Sequence, residues 1–260
     1  MPGILNARMA QEKFWFSAVD PAAALARFVA HYWFVSWDLR GQDPYEQHVL
    51  PYPSVNMTFM TGRCRIAGVP RGRFSEVLRD AGRVFGVRFR PGGFRPFLGA
   101  PVSAITDRFV AVESVFGAPG RELADAVVAA DDAQAVAITE RFLLGLEPLG
   151  RAPDPMGELV AAMVAHVMAD PAVTRVDKLA REFGFGMRRL QRLFAEYVGV
   201  GPKWVIRRYR LHEAAARAAS GTDLDWGRLA LDLGYSDQAH LVRDFTAMVG
   251  VPPARYARAQ

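Results

Sequence analysis

The spacing of apolar residues becomes helical in the C-terminal part of the chain. An apolar series recurs at three- and four-residue steps, which places its members on one face of a helix: Leu159, Val160, Met163, Val164, Val167 and Met168. The same period, interrupted by glycine and proline, predicts further helices at 175–183, 187–198, 202–219, 225–233 and 237–249. Because no strand pattern occurs in this part, we predict that it is all-α.

The N-terminal part follows a different pattern. Short runs rich in aromatic and β-branched residues, separated by proline and glycine, predict strands at HYWFVSWDL, QHVL, SVNMTFM and RVFGVRF. Alanine-rich stretches at 21–29 and 120–146 predict helices, the second of them a candidate connector. We therefore predict an α+β domain, with a small β-barrel that is open or closed, plus helices.

The change between the two patterns lies near RAPDPMG, residues 151–157. Two prolines and a glycine in this short stretch are typical of a linker. A chain of 260 residues is long enough for two domains of ordinary size. We predict a multidomain protein with domains at 1–150 and 151–260.

The C-terminal part contains a duplicated segment. Gly184-Phe185 matches Gly234-Tyr235 at an offset of 50, and Phe194 matches Phe245 at an offset of 51. A Leu-Ala pair before each glycine and a Gly-x-x-Pro sequence after each phenylalanine match in the same way. Since two copies are too few for a solenoid, we interpret them as one small helical module that is duplicated.

Each copy has the pattern of a helix-turn-helix, in which two short helices flank a tight turn and the second helix can enter a DNA major groove. Gly184 and Gly234 stand where the chain has to leave the first helix with a positive φ, which glycine adopts without steric cost. Asp237 is the expected N-cap of the second helix in copy two, whereas Gly186 takes that place in copy one and caps less well. The long helix predicted at 202–219 joins the two copies.

The second helix of each copy has a polar face. With Leu190 and Phe194 on the buried face of one helix, and Leu241 and Phe245 on that of the other, the remaining residues point outward. Arginine suits guanine O6 and N7, glutamine suits adenine, and small apolar groups suit the thymine methyl. We therefore predict that the outward residues bind DNA: Arg188, Gln191, Arg192, Gln238, Ala239, Val242 and Arg243. The alternative is an ordinary solvated helix face.

Over residues 155–258 the chain resembles the DNA-binding unit of AraC/XylS-type transcriptional regulators. The resemblance rests on LAREFGFGMRRLQRLFAEYVGVGPKWV and LALDLGYSDQAHLVRDFTAMVGVPPARY, above all on the string Gly-Tyr…Arg-x-Phe…Gly-x-x-Pro-x-x-Tyr. It implies two recognition helices in two adjacent major grooves of double-stranded DNA, joined by the long helix. Gly186 departs from the Ser or Asp cap that is usual in the family.

The N-terminal part is similar to a sensory domain that precedes this module in many bacterial regulators. The residues that carry the similarity are HVLPYPSVNMTF and FGVRFRPGGFRPFLGAP. The similarity implies a domain that binds a small-molecule effector, with a homodimer as a further expectation. RNA polymerase is an expected partner if the protein is an activator.

Composition and charge change this picture little. The formal net charge is +5, and arginine far outnumbers lysine, which favours anionic partners such as nucleic acid. A basic cluster lies on the helix predicted at 202–219 and consists of Lys203, Arg207, Arg208 and Arg210. It either adds to the surface that attracts nucleic acid or is an ordinary solvated helix face. The single cysteine, Cys64, excludes an internal disulfide framework and fits a reducing compartment. No run of 18 uncharged apolar residues and no secretory signal occurs, so we expect a cytoplasmic protein without a membrane partner.

The N-terminal part offers one candidate ligand site. The turn RPGGFRP crowds arginines and phenylalanines, and HVLPYPSVN adds polar side chains, a combination that suits a small anionic or aromatic effector. The predicted effector-binding residues are His48, Tyr52, Asn56, Arg88, Arg90, Phe94 and Arg95. The alternative is a structural turn with solvent-facing arginines.

Three hypotheses remain open for the whole chain. The first is a transcription factor with a sensory N-terminal domain. The second is a constitutive DNA binder whose N-terminal domain is only a dimerisation scaffold, and the third is a barrel enzyme joined to a DNA anchor. The five histidines are scattered and no nucleophile constellation occurs, so we predict no metal, no cofactor and no enzymatic activity.

Overall fold

The computed structural model describes residues 5, 7–146, 154–220 and 224–258. An N-terminal unit of β-sheets and helices is followed by a C-terminal unit that is helical throughout these residues. The predicted combination of an α+β and an all-α part is confirmed. The predicted boundary between residues 150 and 151 lies outside the described residues, as does the first part of the predicted linker.

The N-terminal unit contains two open antiparallel sheets. The strands are β1 Trp15–Val19, β2 Val29–Asp38, β3 Tyr45–Val49, β4 Asn56–Met60, β5 Arg63–Ala67, β6 Phe74–Leu78, β7 Ala81–Phe89 and β8 Phe109–Ala111. Six of them are ordered β1-β2-β7-β4-β5-β8, and β3 pairs with β6 in the second sheet. The four predicted strands correspond to β2, β3, β4 and β7. The other four strands, β1, β5, β6 and β8, were not among the predicted ones.

Helices complete the core of the N-terminal unit. They are α1 Ala7–Lys13, α2 Arg95–Leu98, the 3-10 helix η1 Val102–Ile105, α3 Val112–Phe116, α4 Ala118–Ala129 and α5 Asp132–Leu144. Leu123 of α4 and Leu143 of α5 are buried in the same cluster as Tyr32, Phe34 and Phe85 of the sheet. The single helix predicted at 120–146, with its connector role, is therefore corrected to two helices that pack on the sheet.

The helix predicted at 21–29 is wrong. Residues 23–28 form consecutive turns, and the chain enters β2 at Val29. Leu25 and Phe28 are buried in the core of the sheet. The connection between β1 and β2 is thus decided by where these two side chains pack, which overrides the helix propensity of the alanines between them.

The C-terminal unit follows the predicted helices closely. The helices are α6 Pro155–Ala169, α7 Val176–Glu182, α8 Met187–Tyr197, α9 Pro202–Ala219, α10 Trp226–Asp232, α11 Gln238–Val249 and α12 Pro253–Arg258. The first motif consists of α7 and α8, the second of α10 and α11. The connecting helix α9 has 18 residues, and it is about 27 Å long at about 1.5 Å per residue.

The connecting helix α9 belongs to the cores of both motifs. Val205 in its first half is buried with Leu190 of α8. Leu211 and Ala214 in its second half are buried with Phe245 of α11. Because each motif packs on its own half of one rigid helix, the two recognition helices keep a fixed relation to each other.

The turns of the two motifs are built alike but packed differently. Gly184 and Gly234 have φ values of 70° and 79°, as predicted for the exit from the first helix. A Cβ at Gly234 would stand 2.4 Å from Cβ of Thr174, whereas one at Gly184 would meet no atom within 4 Å. Asp237 caps α11 by accepting a hydrogen bond from the His240 amide at 2.7 Å, while Gly186 provides no side-chain cap for α8.

Alanine substitutions at these two glycines should separate strain from packing. Gly184→Ala should cost about 1–2 kcal/mol of unfolding free energy, because a Cβ disfavours the left-handed backbone. Gly234→Ala bears the same strain and an overlap with Thr174, so we expect it to cost at least about 1 kcal/mol more. Urea unfolding of the two variants measures both losses, and equal losses would contradict the close contact at Thr174.

The two units are docked through the C-terminal end of α8. Arg95 pairs with Glu196, with Nη2 at 2.7 Å from Oε1. The Thr106 hydroxyl donates a hydrogen bond to the Gly199 carbonyl at 2.6 Å. Both contacts lie beyond the exposed first turns of α8, so docking leaves its outward face uncovered.

The N-terminal unit also holds α9 through a backbone carbonyl. The carbonyl of Arg71 accepts hydrogen bonds from Trp204 Nε1 at 3.2 Å and from Arg208 Nη2 at 3.1 Å. The Arg208 side chain is 2% exposed and its guanidinium lies over the Trp204 ring, and burial lowers its pKa to about 10. Arg210 is also 2% exposed, and it donates to the Asp170 carbonyl and pairs with Glu213. For these two arginines, the interpretation of a solvated basic face is therefore wrong.

A third contact encloses His212 of α9. Its ring stacks on Tyr52 with 3.9 Å between the ring centroids, and its Nε2 lies 3.3 Å from the Pro51 carbonyl. Burial lowers the pKa of His212 to about 3, the hydrogen bond to Pro51 opposes this shift, and the charges of Arg208 and Arg88 add to it. The ring is therefore neutral in the docked protein at neutral pH.

Acid should weaken docking and folding through His212. In the unfolded chain the His212 ring takes up a proton near its usual pKa of 6.5, whereas in the folded chain it does so only near 3. The free energy of unfolding therefore falls as the pH drops through this interval. Between about pH 6.5 and pH 5 the loss should be about 2 kcal/mol. His212→Gln should remove this part of the pH dependence in denaturant titrations. An unchanged slope in the variant would contradict the buried neutral state of the ring.

Candidate nucleic-acid interface

The second helix of each motif presents an exposed polar face. In α8, burial of Leu190 and Phe194 on the inner side leaves the outward residues exposed. In α11, Leu241 and Phe245 are buried in the same way. The exposed residues are Arg188, Gln191, Arg192, Gln238, Ala239 and Arg243, and Val242 is half-buried. All seven predicted DNA-binding residues thus lie at or near the surface, and their contact with DNA stays a prediction.

The arginines of this face are not engaged within the protein. Among the residues that the structure describes, Arg188, Arg192 and Arg243 make no ion pair and no hydrogen bond through their side chains. By contrast, Arg207 of α9 is paired with Asp244, and Arg228 of α10 lies 3.1 Å from Asp232. An unpaired guanidinium keeps its hydrogen-bond donors for a ligand, so both recognition helices carry positive charge that is available to a ligand.

Three of the seven predicted effector-binding residues come together in the N-terminal unit. They are Tyr52, Asn56 and Arg88. Asn56 of β4 and His31 of β2 are both paired with Arg88 of β7, so His31, Arg88 and Asn56 lie in one row on one face of the sheet. The Arg88 guanidinium stands 3.9 Å from the ring centroid of Tyr52. Burial lowers the pKa of Arg88, and no carboxylate pairs with it among the described residues. The row therefore holds a positive charge without a negative partner.

The other four predicted effector-binding residues lie elsewhere. His48 follows the buried Gln47 on β3 and so lies on the opposite face of that strand. Arg90 is exposed and donates a hydrogen bond to the Ala26 carbonyl at 2.6 Å. Phe94 is 1% exposed in the core, with its ring centroid 4.8 Å from that of Phe89. Arg95 pairs with Glu196 between the units, as described above.

His31 in this row and Trp33 beside it were not predicted from the sequence. His31 lies opposite Arg88, and burial and the Arg88 charge lower its pKa. Trp33 donates a hydrogen bond from Nε1 to Asn56 Oδ1 at 3.4 Å, and its ring lies over Gly86, where a Cβ would stand 2.0 Å from Cε2. The alternation in HYWF puts His31 and Trp33 on one face of the predicted strand. This alternation does not show which strand pairs with β2.

The described residues contain no group of three or more His, Cys, Asp or Glu residues that could hold a metal ion. None of the described helices is long and apolar enough to cross a membrane.

Two family models match the chain. One is described as a helix-turn-helix domain and matches residues 179–259, from within α7 to the end of the second motif and beyond. The other is described as a domain of unknown function (DUF6597) and matches residues 17–111, which lie in the N-terminal unit.

Solved structures of bacterial regulators are also similar to the chain. ToxT from Vibrio cholerae O395 is 12% identical, with 95% of this chain and 98% of that chain covered and a TM-score of 0.41. ToxT bound to (E)-4-(8-methylnaphthalen-1-yl)but-3-enoic acid is 13% identical, with 95% and 99% covered and a TM-score of 0.44. The AraC-like transcriptional activator CuxR is 14% identical, with 82% and 90% covered and a TM-score of 0.28.

The family follows from the C-terminal unit. Its two motifs, the connecting helix and the helix-turn-helix match occupy the same residues. Residues 179–259 therefore form an AraC-type helix-turn-helix domain.

Proposed function

We propose that this regulator binds a directional DNA site, with α8 in one major groove and α11 in the adjacent one. The observation that carries the proposal is the set of exposed, unpaired arginines on the second helix of both motifs. Arg188, Gln191 and Arg192 on α8 suit guanine and adenine edges. On α11, Ala239 and Val242 add small apolar groups that suit a thymine methyl. Because the two faces differ, one protomer has to bind a non-palindromic site.

The spacing of the two half-sites follows from α9. The helix is about 27 Å long. Together with the widths of the recognition helices, this length suits two grooves about one DNA turn apart, near 34 Å or about 10 base pairs. Because this rigid helix is buried in the cores of both motifs, the protein cannot adapt to DNA in which the distance between the two half-sites is changed.

Alanine substitutions in the two recognition helices test the proposed base contacts and the proposed spacing of the two half-sites. Arg192→Ala and Arg243→Ala should each lower affinity for the specific site by about 1–3 kcal/mol and affect random DNA little. In selections from randomised duplexes, each variant should relax base preference at one position, and the two positions should lie about 10 base pairs apart. Arg228→Ala, which removes an exposed but paired arginine, should relax none. Equal losses on specific and random DNA would mean that these arginines contact only phosphates.

The N-terminal unit, we propose further, binds a small anionic or aromatic effector at the row formed by His31, Arg88 and Asn56. Arg88 supplies a positive charge without a carboxylate partner, and Trp33 supplies an aromatic wall beside Asn56. Tyr52 connects this row to the DNA-binding unit, because its ring lies under Arg88 and is stacked on His212 of α9. A ligand that draws Arg88 away from Tyr52 would therefore act directly on the docking of α9.

The remaining partners follow from the role of the protein. We propose that the protein acts in the cytoplasm of a bacterium, where its DNA ligand lies, with RNA polymerase as a partner if it activates transcription. We assign it no enzymatic activity, metal or cofactor.

A second candidate function is a constitutive DNA binder with an N-terminal dimerisation scaffold. One observation favours it. The edge strand β1 has the uncharged sequence WFSAV, and its Trp15 is 75% exposed. An uncharged edge strand without proline is a template for pairing with a second copy.

Thermal unfolding of the full chain with small carboxylates and aromatic acids separates the two functions. At least one compound of such a panel should raise Tm, and Arg88→Gln should abolish this rise. Arg79→Gln, at an exposed arginine remote from the row, should keep it. If Arg88→Gln keeps the ligand-induced rise, the proposed row is not the site. Concentration-dependent dimers in sedimentation runs without a ligand effect would favour the scaffold.

A further inference from the structure

A cleft of about 160 Å³ lies between the two helix-turn-helix motifs. One wall comes from the segment before and at the start of α7, a second from α9, and a third from the turn and first residues of the second motif. The residues that line it include Thr174, Val176, Lys203, Arg207, Gly234 and His240. Gly234 of the second motif lies close to Thr174, which precedes the first motif, so the cleft is a seam between the motifs.

The charge of this cleft is positive. No aspartate or glutamate is among the described residues that line it, whereas Lys203, Arg207, Arg210 and His240 are. Arg207 is neutralised by Asp244, and Arg210 by Glu213. Lys203 is exposed and makes no ion pair or hydrogen bond with any described residue. The cleft is thus left with one available ammonium group.

The size of the cleft limits what it can bind. Its volume is about 160 Å³. Drug-sized ligands need about 300–1,000 Å³, so an effector of that size does not fit. A single oxyanion, such as one phosphate group, fits in the cleft.

The cleft adjoins the recognition helix of the second motif. His240, which lines it, follows directly on Gln238 and Ala239 of the exposed face of α11. DNA that fills both major grooves runs its sugar-phosphate backbone across the surface between the motifs, because a minor groove separates two successive major grooves on one side of the duplex. In the proposed complex the backbone therefore crosses the seam in which Lys203 lies.

We propose that this cleft binds a phosphate group of the DNA backbone between the two half-sites, with Lys203 as its cation. The proposal rests on the proposed function, since it requires that both motifs engage one duplex. It adds a sequence-independent contact that positions the protein, in contrast to the base contacts of α8 and α11.

The test compares two of the three lysines of the chain in the full-length protein. Lys203→Gln removes the unpaired charge, and Lys178→Gln removes a matched charge that is paired with Glu182. Lys203→Gln should weaken binding to the specific site and to random DNA by the same factor, and it should reduce the slope of log affinity against log salt by about one. The unsubstituted chain should accordingly lose about threefold more affinity than the variant between about 50 and 200 mM salt. Lys178→Gln should keep the slope of the unsubstituted chain.

Each other outcome overturns the proposal in a distinct way. An unchanged salt slope in Lys203→Gln would show that the cleft holds no backbone phosphate while DNA binding itself stands. A loss confined to the specific site would make Lys203 a base contact. If inorganic phosphate raises Tm through Lys203 while the slope is unchanged, the cleft takes a free phosphate instead. No binding of DNA by the unsubstituted chain would overturn this proposal and the proposed function together.

Discussion

The burial of one helix in two cores is the constraint on which the other features depend. Val205 anchors the first half of α9 in one motif, and Leu211 anchors its second half in the other. Neither motif can rotate about this helix without opening its own core, so the distance and phase between the recognition helices are built in. The same helix carries Arg208 and His212 to the N-terminal unit. One element thus sets both the geometry of DNA binding and its connection to the other unit.

The connection between the units relies on polar groups that burial does not favour. Arg208 is buried against the Arg71 carbonyl with no carboxylate partner among the described residues, and its Nη1 makes no hydrogen bond there. A buried polar atom without a partner costs about 1–3 kcal/mol. His212 is held neutral, far from its usual pKa. Separation of the two units would return both groups to water, which lowers the free-energy cost of that separation.

The arginines of the C-terminal unit have three different environments, which the net charge of +5 does not reveal. Arg208 and Arg210 are buried and act in packing. Arg207 is neutralised by an aspartate. Arg192 and Arg243 are exposed and unpaired, and so they are available for DNA. Availability, rather than the number of basic residues, distinguishes the surface proposed to bind DNA from the rest of the helices.

The sequence by itself determined the C-terminal unit, because its signals are local. Helical periodicity, the positive φ at Gly234 and the cap at Asp237 act within a few residues, and their predictions were confirmed to within one residue at each helix end. The proposed N-terminal site depends on partners that are distant in the sequence. Asn56 and Arg88 share a row only because β4, β7 and β2 pair in one register, which brings in His31 from a strand whose partners the sequence does not specify. Tertiary structure decided this site because pairing between strands is fixed by packing over the whole sheet, which no short stretch of sequence encodes.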